Sequence, residues 1–221
     1  MSSPPVSDSL TAQAIALGER TQRAVLGIAG SPGAGKSTLA DALLADIAAR
    51  RGPEWAAHVP MDGFHLADAQ LQRLGLLDRK GAPETFDPDG YAHLLTRVRH
   101  HAGADVYAPG FDRALEQPLA AALVVPATAR LVITEGNYLL LDRPPWRAAR
   151  RAMDQVWFVT SDEQTRIDRL VARHVAFGKT DDAARSWVGG VDGPNAELVS
   201  ATAGAADRVV VNGARGWAFS A

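Results

Sequence analysis

The segment Gly30-Ser31-Pro32-Gly33-Ala34-Gly35-Lys36-Ser37, GSPGAGKS, follows directly on the apolar run Ala24–Ala29, AVLGIA. It satisfies G-x-x-x-x-G-K-[ST] where that pattern carries meaning, with a strand-like run before it and a helical pattern, Gly35–Arg50, after it. Glycines let successive backbone N–H groups turn toward one centre, and the following helix adds the positive end of its dipole. The main chain alone can therefore hold an anion. Lys36 would add a point charge at the outer phosphates, and the Ser37 hydroxyl would be a ligand for Mg²⁺. Ser31, Gly33, Ala34, Gly35, Lys36, Ser37 and Thr38 are the expected cradle for a nucleoside triphosphate.

Moving outward from this loop, further apolar runs recur at Ala56–Met61, Arg130–Thr134, Val156–Thr160 and Arg208–Val211. Helical patterns separate them, at Asp89–His101, Pro144–Arg151, Asp162–Phe177, Asp181–Val188 and Asn195–Ala203, and a short helix capped by Asp8 or Ser9 precedes the first strand. Strands alternating with helices predict a mostly parallel sheet covered on both faces, an α/β P-loop NTPase fold. Asp105–Tyr107 and Ala122–Val125 read as edge strands or loops. Residues 1–23 are expected to form a loose tail, Met1–Ser7, and a helix, and 24–221 a single domain.

The chain has 221 residues, 47% hydrophobic and 22% charged, which suits one folded α/β domain and excludes a disordered or fibrous protein. A formal charge of -2 gives no general positive field, which argues against nucleic acid as the main partner. The absence of cysteine removes disulfides, thiol nucleophiles and the usual structural zinc sites. Adjacent His100 and His101 point to different helix faces and so do not begin a metal cluster. MSSPPVS lacks a basic-then-apolar leader, and no run approaches the ~18 apolar residues of a membrane span. A cytoplasmic, soluble protein is expected.

A phosphate loop leaves open what becomes of the terminal phosphate. The Asn-Lys-x-Asp guanine motif of switch GTPases is missing, and no partner-binding signature of a large ATPase machine is found. Two strand ends carry acids. Asp62, after Val59-Pro60-Met61, stands where open α/β sheets bind ligands and could take the proton of an attacking hydroxyl, or it could simply cap a turn with Gly63. Glu135, closing Leu131-Val132-Ile133-Thr134, could lie near Mg²⁺ or be a surface charge. Arg166, Arg169 and Arg173 share one helix face, either as a solvated stripe or as a lid over phosphates.

In this order the pieces resemble the phosphoribulokinase/uridine kinase family of P-loop kinases, which includes bacterial type I pantothenate kinase. The resemblance spans about Val25 to Val211. It is carried by GSPGAGKS, Met61-Asp62-Gly63-Phe64-His65, the segment from Arg79 to Asp87, Glu135-Gly136-Asn137-Tyr138 and Asp192-Gly193-Pro194-Asn195-Ala196. The combination is most similar to the branch described as nucleoside/nucleotide kinase-like or as fructose-transport-system kinases. It implies that Asp62 is the catalytic base, that Lys36, Arg169 and Arg173 serve catalysis, and that Glu135 and Ser37 hold Mg²⁺. Arg166 would contact ATP within a lid of about 162–190.

The same resemblance puts His65, Lys80, Tyr107, Phe111, Arg113, Glu135 and Asn137 with Asp62 around the acceptor. Ala108-Pro109 departs from the Tyr-Asp of uridine kinases, so uridine itself is not secured; a sugar, a nucleoside or a pantothenate-like alcohol remains. For Asn195 an N-cap is the simple reading. The implied activity is Mg²⁺- and ATP-dependent phosphorylation of a small hydroxylated metabolite. A catalytically weak nucleotide-binding regulator of sugar uptake and a nucleoside monophosphate kinase are the alternatives. Neither nucleic acid nor membrane is expected as partner, and a homodimer is left open.

Overall fold

A computed structural model of the chain describes residues 6–20, 22–101, 103–213 and 216–220. Its centre is a six-stranded sheet built from β1 (Ala24–Gly30), β2 (Ala56–His58), β5 (Leu131–Gly136), β6 (Gln155–Ser161), β7 (Arg208–Gly213) and β8 (Gly216–Phe219), in the order β2-β5-β1-β6-β7-β8. The first five strands are parallel and β8 is antiparallel to β7. Helices α1 (Asp8–Gly18), α2 (Lys36–Arg51), α3 (Asp68–Leu74), α4 (Pro88–His100), α5 (Pro144–Arg151), α6 (Glu163–Ala176), α7 (Asp181–Trp187) and α8 (Gly193–Ser200) connect and cover it. Between β2 and β5 a separate antiparallel ribbon forms from β3 (Val106–Asp112) and β4 (Gln117–Val125).

Strands buried on both faces read as continuous apolar runs, and the pleat then deals their side chains alternately to two cores. Val25, Val132, Val156 and Phe158 go to one face, with Tyr91, Leu95, Tyr138 and Trp146. Leu26, Ile28, Ile133, Trp157 and Val159 go to the other, with Leu39, Leu43 and Ile47 of α2. Among the described residues no helix is long and apolar enough to cross a membrane.

The expected helices lie within a turn of their places, but α3 was not foreseen, and the first helix starts at Asp8 after Ser7 rather than being capped by Asp8 or Ser9. The strand expected at Ala56–Met61 stops at His58, because Met61–Phe64 winds into a 3₁₀ turn. The two uncertain segments form the ribbon rather than edges of the main sheet. Most of the expected tail lies outside the described residues, and its end is fastened: the Ser7 N–H donates to the Trp217 carbonyl at 3.0 Å.

At the base of the sheet the Arg23 side chain, only 6% exposed, donates to four carbonyls, those of Val98, Pro126, Ala127 and Ala129, at 2.8 to 3.0 Å. Burial pulls its guanidinium below the ordinary range. This one fork ties the end of α4 and the approach to β5 to the start of β1. Arg23→Ala should strand those carbonyls and cost about 3 kcal/mol. The expected drop in melting temperature is roughly 5–10 °C; a change of less than about 2 °C in thermal unfolding would show the fork to be redundant.

Candidate active site

The phosphate loop runs from the end of β1 into α2. Gly33 has φ 79° and Gly35 φ 96°, left-handed conformations that favour glycine, and a Cβ on Gly35 would stand 2.7 Å from the Trp217 ring. Lys36 folds back into the loop, donating to the Ser31 carbonyl at 3.2 Å and to Asn137 Oδ1 at 2.6 Å. The Ser37 hydroxyl donates to Glu135 Oε1 at 3.1 Å. Parallel pairing of β1 with β5 sets Ile28 beside Glu135 and Ala29 beside Gly136, so the sheet register itself carries the acid to the loop.

Asp62 enters from the 3₁₀ turn after β2. The turn is pinned by Gly63, where a Cβ would collide with the Pro109 carbonyl of the ribbon. Arg113, just past β3, reaches across and donates to Asp62 Oδ2 at 2.5 Å. The guanidinium rests on the Phe111 ring at 4.9 Å. His65 lies between Phe86 and Phe111, with Nε2 4.0 Å from Asp62 Oδ1 and its buried Nδ1 unpartnered.

Burial sets the protonation of these groups, and their charges then correct one another. Burial, and next the Asp62 carboxylate, push Glu135 up to about 7 against the pull of Lys36 and Ser37. Burial pulls the Lys36 ammonium below its ordinary range, opposed by Glu135 and Asp62. Burial also raises Asp62, but His65, Arg113 and Lys36 outweigh it and leave the carboxyl below the usual range. His65 is itself pulled down to about 4 by burial and is neutral at pH 7. Arg113 and Lys36 therefore keep Asp62 ionised at that pH.

These groups open into one cavity of about 770 Å³. Gly33, Gly35, Lys36, Ser37, Thr38, Glu135 and Asn137 line it together with Asp62, His65, Lys80, Phe111 and Arg113. From the far side α6 presents Arg169 and Arg173, neither of whose side chains has a hydrogen bond or ion pair among the described residues. The oxygen donors Ser37 and Glu135 fit a hard divalent cation, and the raised carboxyl is one that a cation would ionise. Among the described residues no group of three or more His, Asp or Glu could hold a metal, so phosphates and water would complete such a site.

No family model matches the sequence. A protein of Schizosaccharomyces pombe provisionally called a uridine kinase is 35% identical over 181 residues, covering 79% of this chain and 77% of that protein. The uncharacterized protein YggC of Escherichia coli is 38% identical over 180 residues, covering 80% and 73%. The chain belongs to the phosphoribulokinase/uridine kinase family of P-loop kinases. Among solved structures, a Silicibacter sp. TM1040 protein provisionally described as a fructose transport system kinase is 38% identical. Its TM-score is 0.78, with 88% of this chain and 93% of that one covered.

Several residues stand elsewhere in this kinase than the sequence suggested. Arg166 does not face the cavity: it is 5% exposed and donates to the Pro32 carbonyl at 3.1 Å and to Glu163, bracing the loop from behind. Ser31 turns away too, its hydroxyl on Ser200 of α8 at 3.0 Å, and the Ala34 N–H is spent on the Ser31 carbonyl at 3.1 Å. Tyr107 points outward, 61% exposed, because strand alternation sends Val106 and Ala108 inward. Asn195 is not an N-cap. A π turn at Val188–Asp192 runs straight into α8, and Asn195 sits inside that helix and lines the cavity. Two residues received no site role from the sequence: Asp192, quoted only within a motif, holds His174 of α6 at 2.8 Å, and Trp187 lines the cavity with its ring 4.4 Å from Lys179 Nζ.

A titration follows from the buried acid. Folded, Glu135 holds its proton up to about pH 7, against an ordinary value of 4.5, so the native state binds more protons between those limits and loses stability as the pH rises through them. Glu135→Gln, neutral throughout, escapes that loss. In Mg²⁺-free denaturant unfolding the variant should gain on the order of 1–3 kcal/mol relative to wild type between pH 5 and pH 8. A difference that is the same at both pH values would mean that Glu135 is ionised throughout.

Proposed function

We propose that this kinase transfers the γ-phosphoryl group of ATP to the hydroxyl of a small metabolite, with Asp62 as general base. The observation that supports the reading is the meeting of Asp62 with Lys36, Ser37 and Glu135 in one cavity. Its volume falls in the range of small-molecule sites. Backbone N–H groups around Gly33, Gly35 and Lys36 would receive the β- and γ-phosphates, and Thr38 at the start of α2 would add its N–H. Ser37 and Glu135 would hold Mg²⁺, whose positive charge would offset that of the phosphates.

The acceptor hydroxyl would attack in line. Asp62 takes its proton as the new phosphorus–oxygen bond forms, the bond to the β-phosphate oxygen breaks, and ADP leaves. The Arg169 and Arg173 side chains, without a hydrogen bond or ion pair among the described residues, would swing onto the transferring group as α6 and α7 close and exclude water. Lys36 would move from Asn137 to the phosphates, a short shift for a flexible ammonium.

Asp62→Asn removes the base while keeping the side chain's shape. ADP release in the presence of a hydroxyl acceptor should fall by at least two orders of magnitude, and the affinity for Mg·ATP should stay within threefold. A phosphate acceptor has no such proton to lose. Near wild-type transfer by Asp62→Asn to a nucleoside monophosphate would replace this reading with that of a monophosphate kinase.

A further inference from the structure

The Arg113–Asp62 ion pair poses a chemical problem for the kinase just described. A carboxylate accepting a charge-assisted bond at 2.5 Å has its basicity spent on the guanidinium. Once Asp62 takes a proton it is neutral, and Arg113 then loses its counter-charge at the moment of transfer. A neutral acceptor offers nothing in return.

Resting on that kinase reading, we propose that the acceptor is a small alcohol bearing an anionic oxygen group, a carboxylate or a phosphate ester, and that this group draws Arg113 off Asp62 and so frees the base.

The acceptor wall is built for such a group. Among the described residues the Arg113 side chain is anchored only by stacking on Phe111 and by its one hydrogen bond to Asp62. Its remaining N–H donors are open, its side chain is 45% exposed, and a planar guanidinium recognises carboxylate and phosphate oxygens in pairs. Lys80 approaches the same Phe111 ring, 5.8 Å from its centroid, and lines the same cavity. Two cationic heads therefore stand over one aromatic floor. Lys80 is held in place by Asp68 at 2.7 Å and by the Glu116 carbonyl at 2.5 Å, which leaves a further donor of its ammonium for a ligand. His65, neutral at pH 7, adds no charge and closes the floor beside them.

Atoms balance without a further reagent. The anionic group forms only hydrogen bonds, the alcohol gives its proton to Asp62, and the γ-phosphoryl group passes from ADP oxygen to acceptor oxygen. The anion thus acts as a specificity determinant. An alcohol without it would meet a base still held by Arg113.

The test uses the full chain with Mg·ATP and matched acceptor pairs: pantothenate and pantothenol, glycerate and glycerol, fructose 6-phosphate and fructose. ADP release should favour the anionic member of the productive pair by at least tenfold in kcat/KM. The carboxylate and phosphate arms tell which anion is preferred. In Arg113→Ala that preference should shrink to threefold or less while the KM for ATP stays put. Equal losses for both members would instead assign Arg113 to the γ-phosphate and overturn the proposal, as would neutral members turning over as fast as anionic ones.

A second measurement decides even if no acceptor in the panel is turned over. With Asp62 unmasked, acceptor-free ATP hydrolysis by Arg113→Ala should rise at least threefold, and Asp62→Asn added to it should abolish the rise. Unchanged hydrolysis with ATP still bound would remove Arg113 as the restraint on the base. Transfer to neutral alcohols alone would leave the kinase reading standing and sink only the anionic acceptor.

Discussion

Lys36, Asp62 and Glu135 are ionisable groups held where burial would make each charge costly alone, and the site depends on their offsetting one another, with the half-exposed Arg113 as counter-charge to Asp62. Lys36 is fixed by the Ser31 carbonyl and Asn137, and faces the fields of Glu135 and Asp62. Asp62 is balanced by Arg113, and Glu135 rests on Ser37 with a proton that a cation could displace. Each link is one that nucleotide, cation or acceptor would replace with a stronger partner. Preorganisation of this kind lowers the cost of assembling charge around a transferring phosphoryl group, because the dipoles are in place before the substrate arrives.

The scaffold explains why such a cluster can be held at all. Parallel strands deliver their carboxyl ends to one edge, and the register of β1 against β5 brings the loop and Glu135 together without any contact having to find it. The ribbon β3–β4 stands apart from the main sheet and adds Phe111 and Arg113 as a separate wall. Arg166 braces the loop at Pro32 from α6, so movement of that helix and the shape of the loop are mechanically linked. Family membership secures the kinase fold and supports phosphotransfer chemistry; in our proposal the acceptor is selected at this wall.

What could be read from the sequence follows how local each feature is. The phosphate loop was legible because strand, glycines, lysine and helix fall within a few consecutive residues. Glu135 was legible as an acid at a strand end, and Asp62 as an acid closing an apolar run, although its strand stops at His58. The Arg113–Asp62 pair was not, since it joins residues 51 apart and depends on Gly63 fitting under the Pro109 carbonyl. Helical spacing rightly grouped Arg166, Arg169 and Arg173, but it could not tell that Arg166 would be trapped beneath the loop while the other two reach the cavity. Tyr107 was legible in principle, because Val106 and Ala108 beside it demand the core. Asn195 was not, because the π turn that carries Asp192 into α8 has no periodic signature.

The central claim is spatial: a triphosphate in the loop points its last phosphorus at Asp62 across room for one hydroxyl. A crystal structure with Mg²⁺ and a non-hydrolysable ATP analogue measures this directly. The expected result is the Asp62 carboxylate within roughly 6 Å of the γ-phosphorus, the sum of a near-attack approach and one hydrogen bond, with the cavity open between them. A γ-phosphate lying away from Asp62, or side chains filling that gap, would contradict it.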